Sequence, residues 1–176
     1  EFPLPGGRRD RGIFSIFLLN LVHLRPGQGT FQPAGVLHAY LQGTTVELMA
    51  NSDNVLRGGL TPKHVDVAEL LRVVRFEDGH CAVTDGEAAA DGERVYSTPA
   101  EDFELSRFLL EGRAAMRETH GPEILLATDG AASVSAAGIG IGLSRGQAVL
   151  AGAGLRYELS APDRAVVWRA KTGVAV

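Results

Sequence analysis

Four side chains in one short stretch have types and spacing suited to chemistry: His38, Glu47, Arg57 and Lys63. A neutral imidazole is the commonest protein ligand for a metal. One imidazole cannot hold a metal, so His38 raises the question of its partners. The plainer reading is a histidine packed at a barrel end with one satisfied hydrogen bond. Glu47 follows among Val46, Leu48 and Met49. A carboxylate emerging from an apolar strand is suited to moving protons; an outward-facing strand glutamate is the other reading. Arg57 and Lys63 lie in the loop Asn54-Val55-Leu56-Arg57-Gly58-Gly59-Leu60-Thr61-Pro62-Lys63. Arginine offers a planar fork for an oxyanion and lysine a mobile point charge. Gly58 and Gly59 let the backbone approach a ligand closely. Without further context the loop also reads as a solvated basic turn. Asn51, Ser52, Asp53 and Asn54 either hydrogen-bond a polyol or close the turn.

The elements that must position these groups are mostly strands. Gly and Pro punctuation among β-branched and aromatic residues predicts strands near 16–24, 29–32, 36–41 and 45–50. His38 then heads the third and Glu47 sits in the fourth. Residues 51–62 are polar and Gly-rich, which predicts a loop. Val65 to Val74 has helical spacing, with Asp66 placed to cap it. Residues 77–93 read as a loop or linker, and a second β region runs from about Arg94 to Arg169. A repeat links the halves. Gly27, five residues, Pro33-x-Gly35, two residues and His38 match Gly146, five residues, Gly152-x-Gly154, two residues and Tyr157. The punctuation recurs, whereas the imidazole is replaced by a phenol. Two related barrels follow from this, the second lacking a metal. Trp168 reads as packing in the last strand, and His23, His64, His80 and His120 show no ligand spacing with His38.

The 176 residues are 45% hydrophobic and 22% charged, which is an ordinary globular balance. A net charge of −4 argues against a nucleic-acid partner, since phosphate backbones call for a basic face. The apolar run Ile13 to Leu24 is too short to span a bilayer and reads as buried strand. The single Cys81 excludes an internal disulfide framework and fits a reducing, cytoplasmic setting. The chain opens on Glu1 with no signal-peptide layout, and an origin inside a longer protein is the expectation.

The segment Val46 to Lys63, with Leu18-Leu19-Asn20 and Pro26-Gly27 upstream and Val65-Asp66-Val67 downstream, resembles the signature of the type I mannose-6-phosphate isomerases. These are zinc-dependent cupin enzymes. The strong match covers residues 18–75, and the remainder is similar to the family's variable C-terminal barrel. The resemblance implies an all-β dominated fold of cupin-type jelly-roll barrels with a short helix. It implies residues 1–75 as the C-terminal part of a catalytic barrel, 76–93 as a linker and 94–176 as a second, metal-free β domain.

By the same resemblance His38 is the last zinc ligand. Arg57 and Glu47 carry the catalytic role, and Lys63, Asn51 and Asp53 face a sugar-phosphate substrate. The family's other ligands are a Gln and a His on one early strand and a Glu further on. No Gln-x-His pair precedes His38, nor does the Asn-His-Lys-Pro-Glu segment appear. The implied activity is an aldose–ketose isomerisation between mannose 6-phosphate and fructose 6-phosphate in the intact enzyme. The implied partner is the missing N-terminal portion of the same protein, with no membrane. The alternative is a truncated or non-catalytic sugar-binding cupin module with an incomplete zinc site. A dioxygenase-type cupin would need a His-x-His pair before the motif, and none is present.

Overall fold

A computed structural model of the protein describes residues 9–52 and 54–173. They form two compact units. One takes the chain up to Leu24, then Thr30–Thr44 and Asn51–Val83; the other takes Arg25–Gly29, Thr45–Ala50 and the chain from Thr84 onward.

The second unit holds the regular β structure. Its strands are β3 (Glu87–Ala88), β4 (Glu93–Tyr96), β5 (Phe103–Glu111), β6 (Ala114–Glu118), β7 (Glu123–Asp129), β8 (Ala131–Ala136), β9 (Ile139–Ser144), β10 (Ala148–Ala151), β11 (Arg156–Ser160) and β12 (Arg164–Thr172). They build two antiparallel sheets, β10-β7-β12-β5-β4-β3 and β6-β11-β8-β9. This is the β-dominated, cupin-like architecture that the sequence predicts. Alternation explains it: Ser106, Phe108 and Leu110 on β5 face one way, and so do Leu125 and Ala127 on β7 and Ala165 and Val167 on β12. The apolar ones among them, with Tyr157 and Leu159 of β11, belong to the hydrophobic core. Each fully buried Leu, Val or Phe there contributes about 1.5–3 kcal/mol.

That core also carries charge. Glu93 Oε2 accepts from Arg117 Nη2 at 2.7 Å and Nε at 3.2 Å. Its Oε1 lies 2.8 Å from Arg169 Nη2, yet off the line of any N–H, so that contact is coulombic rather than a hydrogen bond. Tyr157 donates its hydroxyl to Glu123 Oε2 at 2.9 Å, and Arg169 Nη1 stands 3.8 Å from the same carboxylate. Both guanidinium groups lie over the Phe108 ring, at 4.9 and 5.6 Å. Two cations against two buried anions keep the interior neutral, the condition for burying charge.

The first unit is different in kind. It holds a 3-10 turn (Arg11–Phe14), α1 (Ser15–Leu18) and α2 (Val67–Val73). The short strands β1 (Gly29–Thr30) and β2 (Val83–Thr84) pair with each other. Helix α2 forms as the sequence predicts, with Asp66 accepting from the Glu69 N–H at 3.0 Å. None of this unit's described residues is buried. Phe17, Leu18, Leu41 and Phe76 are each about four-fifths exposed, at 78%, 81%, 80% and 80%.

Three strand expectations are corrected here. The 16–24 run is not a buried strand: Asp10 accepts from the Gly12 N–H at 2.7 Å and starts a helical turn that continues through Leu18. The run has no strict apolar–polar alternation to oppose it. Residues 36–41 and 45–50 form no ladder among the described residues, because a strand exists only where another strand takes up its N–H and C=O groups.

Candidate functional site

His38 leaves the turn at Ala34-Gly35 on an extended, exposed segment. Gly35 has a φ of 80°, and an added Cβ would meet the Val73 carbonyl oxygen at 2.8 Å. The Arg75 N–H donates to Gly35 O at 2.9 Å. The end of α2 therefore fixes the turn that launches the imidazole. His38 Nδ1 lies 3.1 Å from Val36 O. A carbonyl only accepts, so a neutral imidazole that makes this bond carries its proton on Nδ1 and leaves Nε2 open. That tautomer is the one that presents Nε2 to a metal. The Tyr40 ring stands edge-on to the imidazole at 5.9 Å.

The Arg57 loop runs past the same segment. A Cβ on Gly58 would touch the Leu37 side chain at 3.4 Å, so the residue after Arg57 passes beside the residue before His38. Arg57 is half-buried and Lys63 exposed; the Lys63 N–H donates to Thr61 Oγ1 at 3.2 Å. The loop is clamped from a distance. Asp10 Oδ2 accepts from the Leu60 N–H at 2.8 Å while its Oδ1 holds Gly12. Leu60 has a φ of 53°, a left-handed conformation that costs about 1–2 kcal/mol for a residue with a side chain. Asp10 is thus a positioning residue that sequence reasoning missed, and nothing local in the sequence signals a contact across that separation.

Glu47 belongs to the 45–50 segment of the other unit, exposed between half-buried Val46 and Leu48. Asn51 is exposed at a bend. Asp53 lies outside the described residues.

The repeat has a structural counterpart. The Arg25–Gln28 and Ser144–Gln147 turns are the same. Gly27 and Gly146 both have a φ of 86°. Gln28 N and Gln147 N each donate to the carbonyl three residues back at 2.9 Å. Gln28 Oε1 accepts from Arg25 N at 3.0 Å and Gln147 Oε1 from Ser144 N at 2.8 Å. Gly35 and Gly154, the later matched pair, are also left-handed, at 80° and 71°. The recurring Gly-Gln doublet was the overlooked signal. At the position matching His38, Tyr157 is fully buried, and the cation among its acidic neighbours is Arg169.

No family model matches the chain. The mannose-6-phosphate isomerase of Salmonella typhimurium is 41% identical over 124 residues, 70% of this chain and 32% of that protein. The same-named protein of Cryptococcus neoformans is 33% identical over 168 residues, 92% of this chain and 39% of the relative. Among solved structures, Salmonella typhimurium mannose 6-phosphate isomerase bound to substrate (f6p) and zinc matches with a TM-score of 0.77 at 33% identity. That match covers 94% of this chain and 42% of the other.

This chain resembles part of a mannose-6-phosphate isomerase. It spans about a third to two-fifths of the length of the relatives it matches. Zinc is present in that solved isomerase. Here, no group of three or more His, Cys, Asp or Glu side chains that could hold a metal comes together among the described residues. His38 is one donor where a zinc site takes three or four. The described residues do not make a zinc site by themselves.

Proposed function

We propose that this chain is part of a mannose-6-phosphate isomerase and supplies one wall of its site. What supports the reading is the match to the zinc- and substrate-bound Salmonella enzyme at 33% identity across 94% of this chain. The reaction interconverts mannose 6-phosphate and fructose 6-phosphate by moving a proton between neighbouring carbons through an enediol. His38, with ligands from elsewhere in the protein, would hold zinc, and the metal would supply Lewis-acid polarisation. Arg57 faces the negative charge that develops on the substrate oxygens. Lys63 attracts the phosphate dianion, and Asn51 and Asp53 hydrogen-bond the sugar hydroxyls. Glu47 is a candidate for the proton-moving base.

By this reading the rest of the site comes from an N-terminal portion of the same protein, equivalent to the three-fifths or more of the relatives that this chain does not span. The first unit argues for such a partner on its own account. It exposes Phe17, Leu18, Leu41 and Phe76, forgoing about 1.5–3 kcal/mol for each side chain left in water. The organisation that goes with this reading is 1–75 in the catalytic barrel, 76–93 as linker and 94–176 as the metal-free barrel. No helix among the described residues is long and apolar enough to cross a membrane, and a cytoplasmic setting goes with the lone thiol of Cys81.

Zinc content tests the ligand role. In the intact protein, His38→Ala should lower bound zinc well below one per molecule, measured by atomic emission. Unchanged zinc would remove His38 from the ligand set.

A further inference from the structure

The outward face of the six-stranded sheet carries arginines that form no ion pair among the described residues. Arg94 on β4 and Arg107 on β5 are direct cross-strand partners, and like charges placed so repel. Arg113, exposed in the turn after β5, joins them in lining a cleft of about 310 Å³. None of the three arginines makes an ion pair among the described residues. Of the two acids in the lining, Glu93 has its carboxylate committed to Arg117 and Arg169 in the interior. That leaves Glu111 at the rim against three guanidinium groups.

The donors are also incompletely used. Arg94 Nη1 donates to the Gly86 carbonyl at 2.9 Å, which orients the group without cancelling its charge. Arg107 Nε is buried and has no hydrogen-bond partner. An orphan donor of that kind needs an explanation. Gly92 forms the floor: with a φ of 77°, it passes so close that a Cβ would meet Leu109 O at 2.6 Å. The space is at the small end of the range for metabolite sites.

We propose that this cleft is an anion site of the C-terminal barrel that takes a phosphate group, either inorganic phosphate or a small phosphate monoester. Forked guanidinium donors match phosphate geometry. A bound dianion offsets the Arg94–Arg107 repulsion. The site is separate from the proposed isomerase wall, since it uses neither Arg57 nor Lys63.

Trp168 is the only tryptophan and lies 6.0 Å from the Arg107 guanidinium carbon, so its fluorescence reports on the cleft. Inorganic phosphate and fructose 6-phosphate should be titrated separately into the full chain. Saturable change is expected with at least one, and a tighter response to one of them identifies the source. Arg113→Ser, an exposed turn substitution, should weaken binding roughly tenfold with an unchanged melting temperature. Arg57→Ser should leave the Trp168 response as it is. No saturation with either ligand would overturn the proposal, as would an unchanged affinity in both Arg113→Ser and Arg94→Ser. A response abolished by Arg57→Ser would also overturn it, by placing the phosphate at the isomerase wall.

Discussion

Single residues hold the candidate site in place from outside it. Asp10 takes both the Gly12 and Leu60 N–H groups, so one carboxylate sets the path of the loop that carries Arg57. Asp10→Ala leaves two donors without an acceptor and a left-handed leucine without a restraint. We expect the Leu60 amide to exchange with solvent about tenfold faster or more, consistent with losing roughly 1.5–3 kcal/mol of charge-assisted hydrogen bonding. Unchanged exchange would show that the loop is fixed by something else. Tyr157 gives a second residue-scale expectation. Burial, then the charge of Glu123, pushes its phenol above the ordinary value of 10.0. The folded state thus keeps the proton longer than the unfolded state. Below pH 10 both states are protonated and the group gives stability no pH dependence. Above pH 10 the unfolded state ionises first, so stability falls as pH rises. Tyr157→Phe should flatten that alkaline fall in chemical denaturation. Tyr96, also raised by burial, should account for part of what remains.

At the scale of elements, the two Gly-Gln turns make a matched pair with different surroundings. An alanine at Gly146 meets nothing within 4 Å, whereas one at Gly27 runs into the Arg107 guanidinium. Both glycines have a φ of 86°, so each substitution carries the left-handed penalty of about 1–2 kcal/mol. The Arg107 guanidinium is the far end of a flexible side chain and can move aside, so Gly27→Ala and Gly146→Ala should destabilise by similar amounts in urea unfolding; a loss at one alone would contradict the shared turn. The elements also show what a sequence makes legible. The β region from Arg94 to Arg169 could be read as a whole because the apolar residues of β5, β7, β11 and β12 alternate and the neighbouring strands lie within the chain. Helix α2 could be read because its cap is local. The 16–24 run was misread because apolar character without a period does not choose between helix and strand. The 36–41 and 45–50 segments were misread for another reason: their β-branched and aromatic residues suit a strand, but no strand among the described residues pairs with them.

For the whole molecule, the contrast lies between a unit with a sealed core and one without. Hydrogen-exchange protection should be confined to β4 to β12, with the amides of α1, the His38 segment and the Arg57 loop exchanging rapidly in the chain alone. Protection as strong around His38 as in β5 would mean that the first unit needs no partner. His38, Arg57 and Lys63 could be nominated from the sequence because they lie in one contiguous motif. What completes them could not, since a ligand set is a fact about space. The central claim is that this chain is one part of an isomerase site. Its most direct test is the rate of mannose 6-phosphate isomerisation, with zinc present, by the chain alone and by the chain mixed with the complementary part of a relative. Turnover only in the mixture, and its loss on Arg57→Ala, is the result expected. Full turnover by the 176 residues alone, or none in a folded, zinc-loaded mixture, would contradict the account.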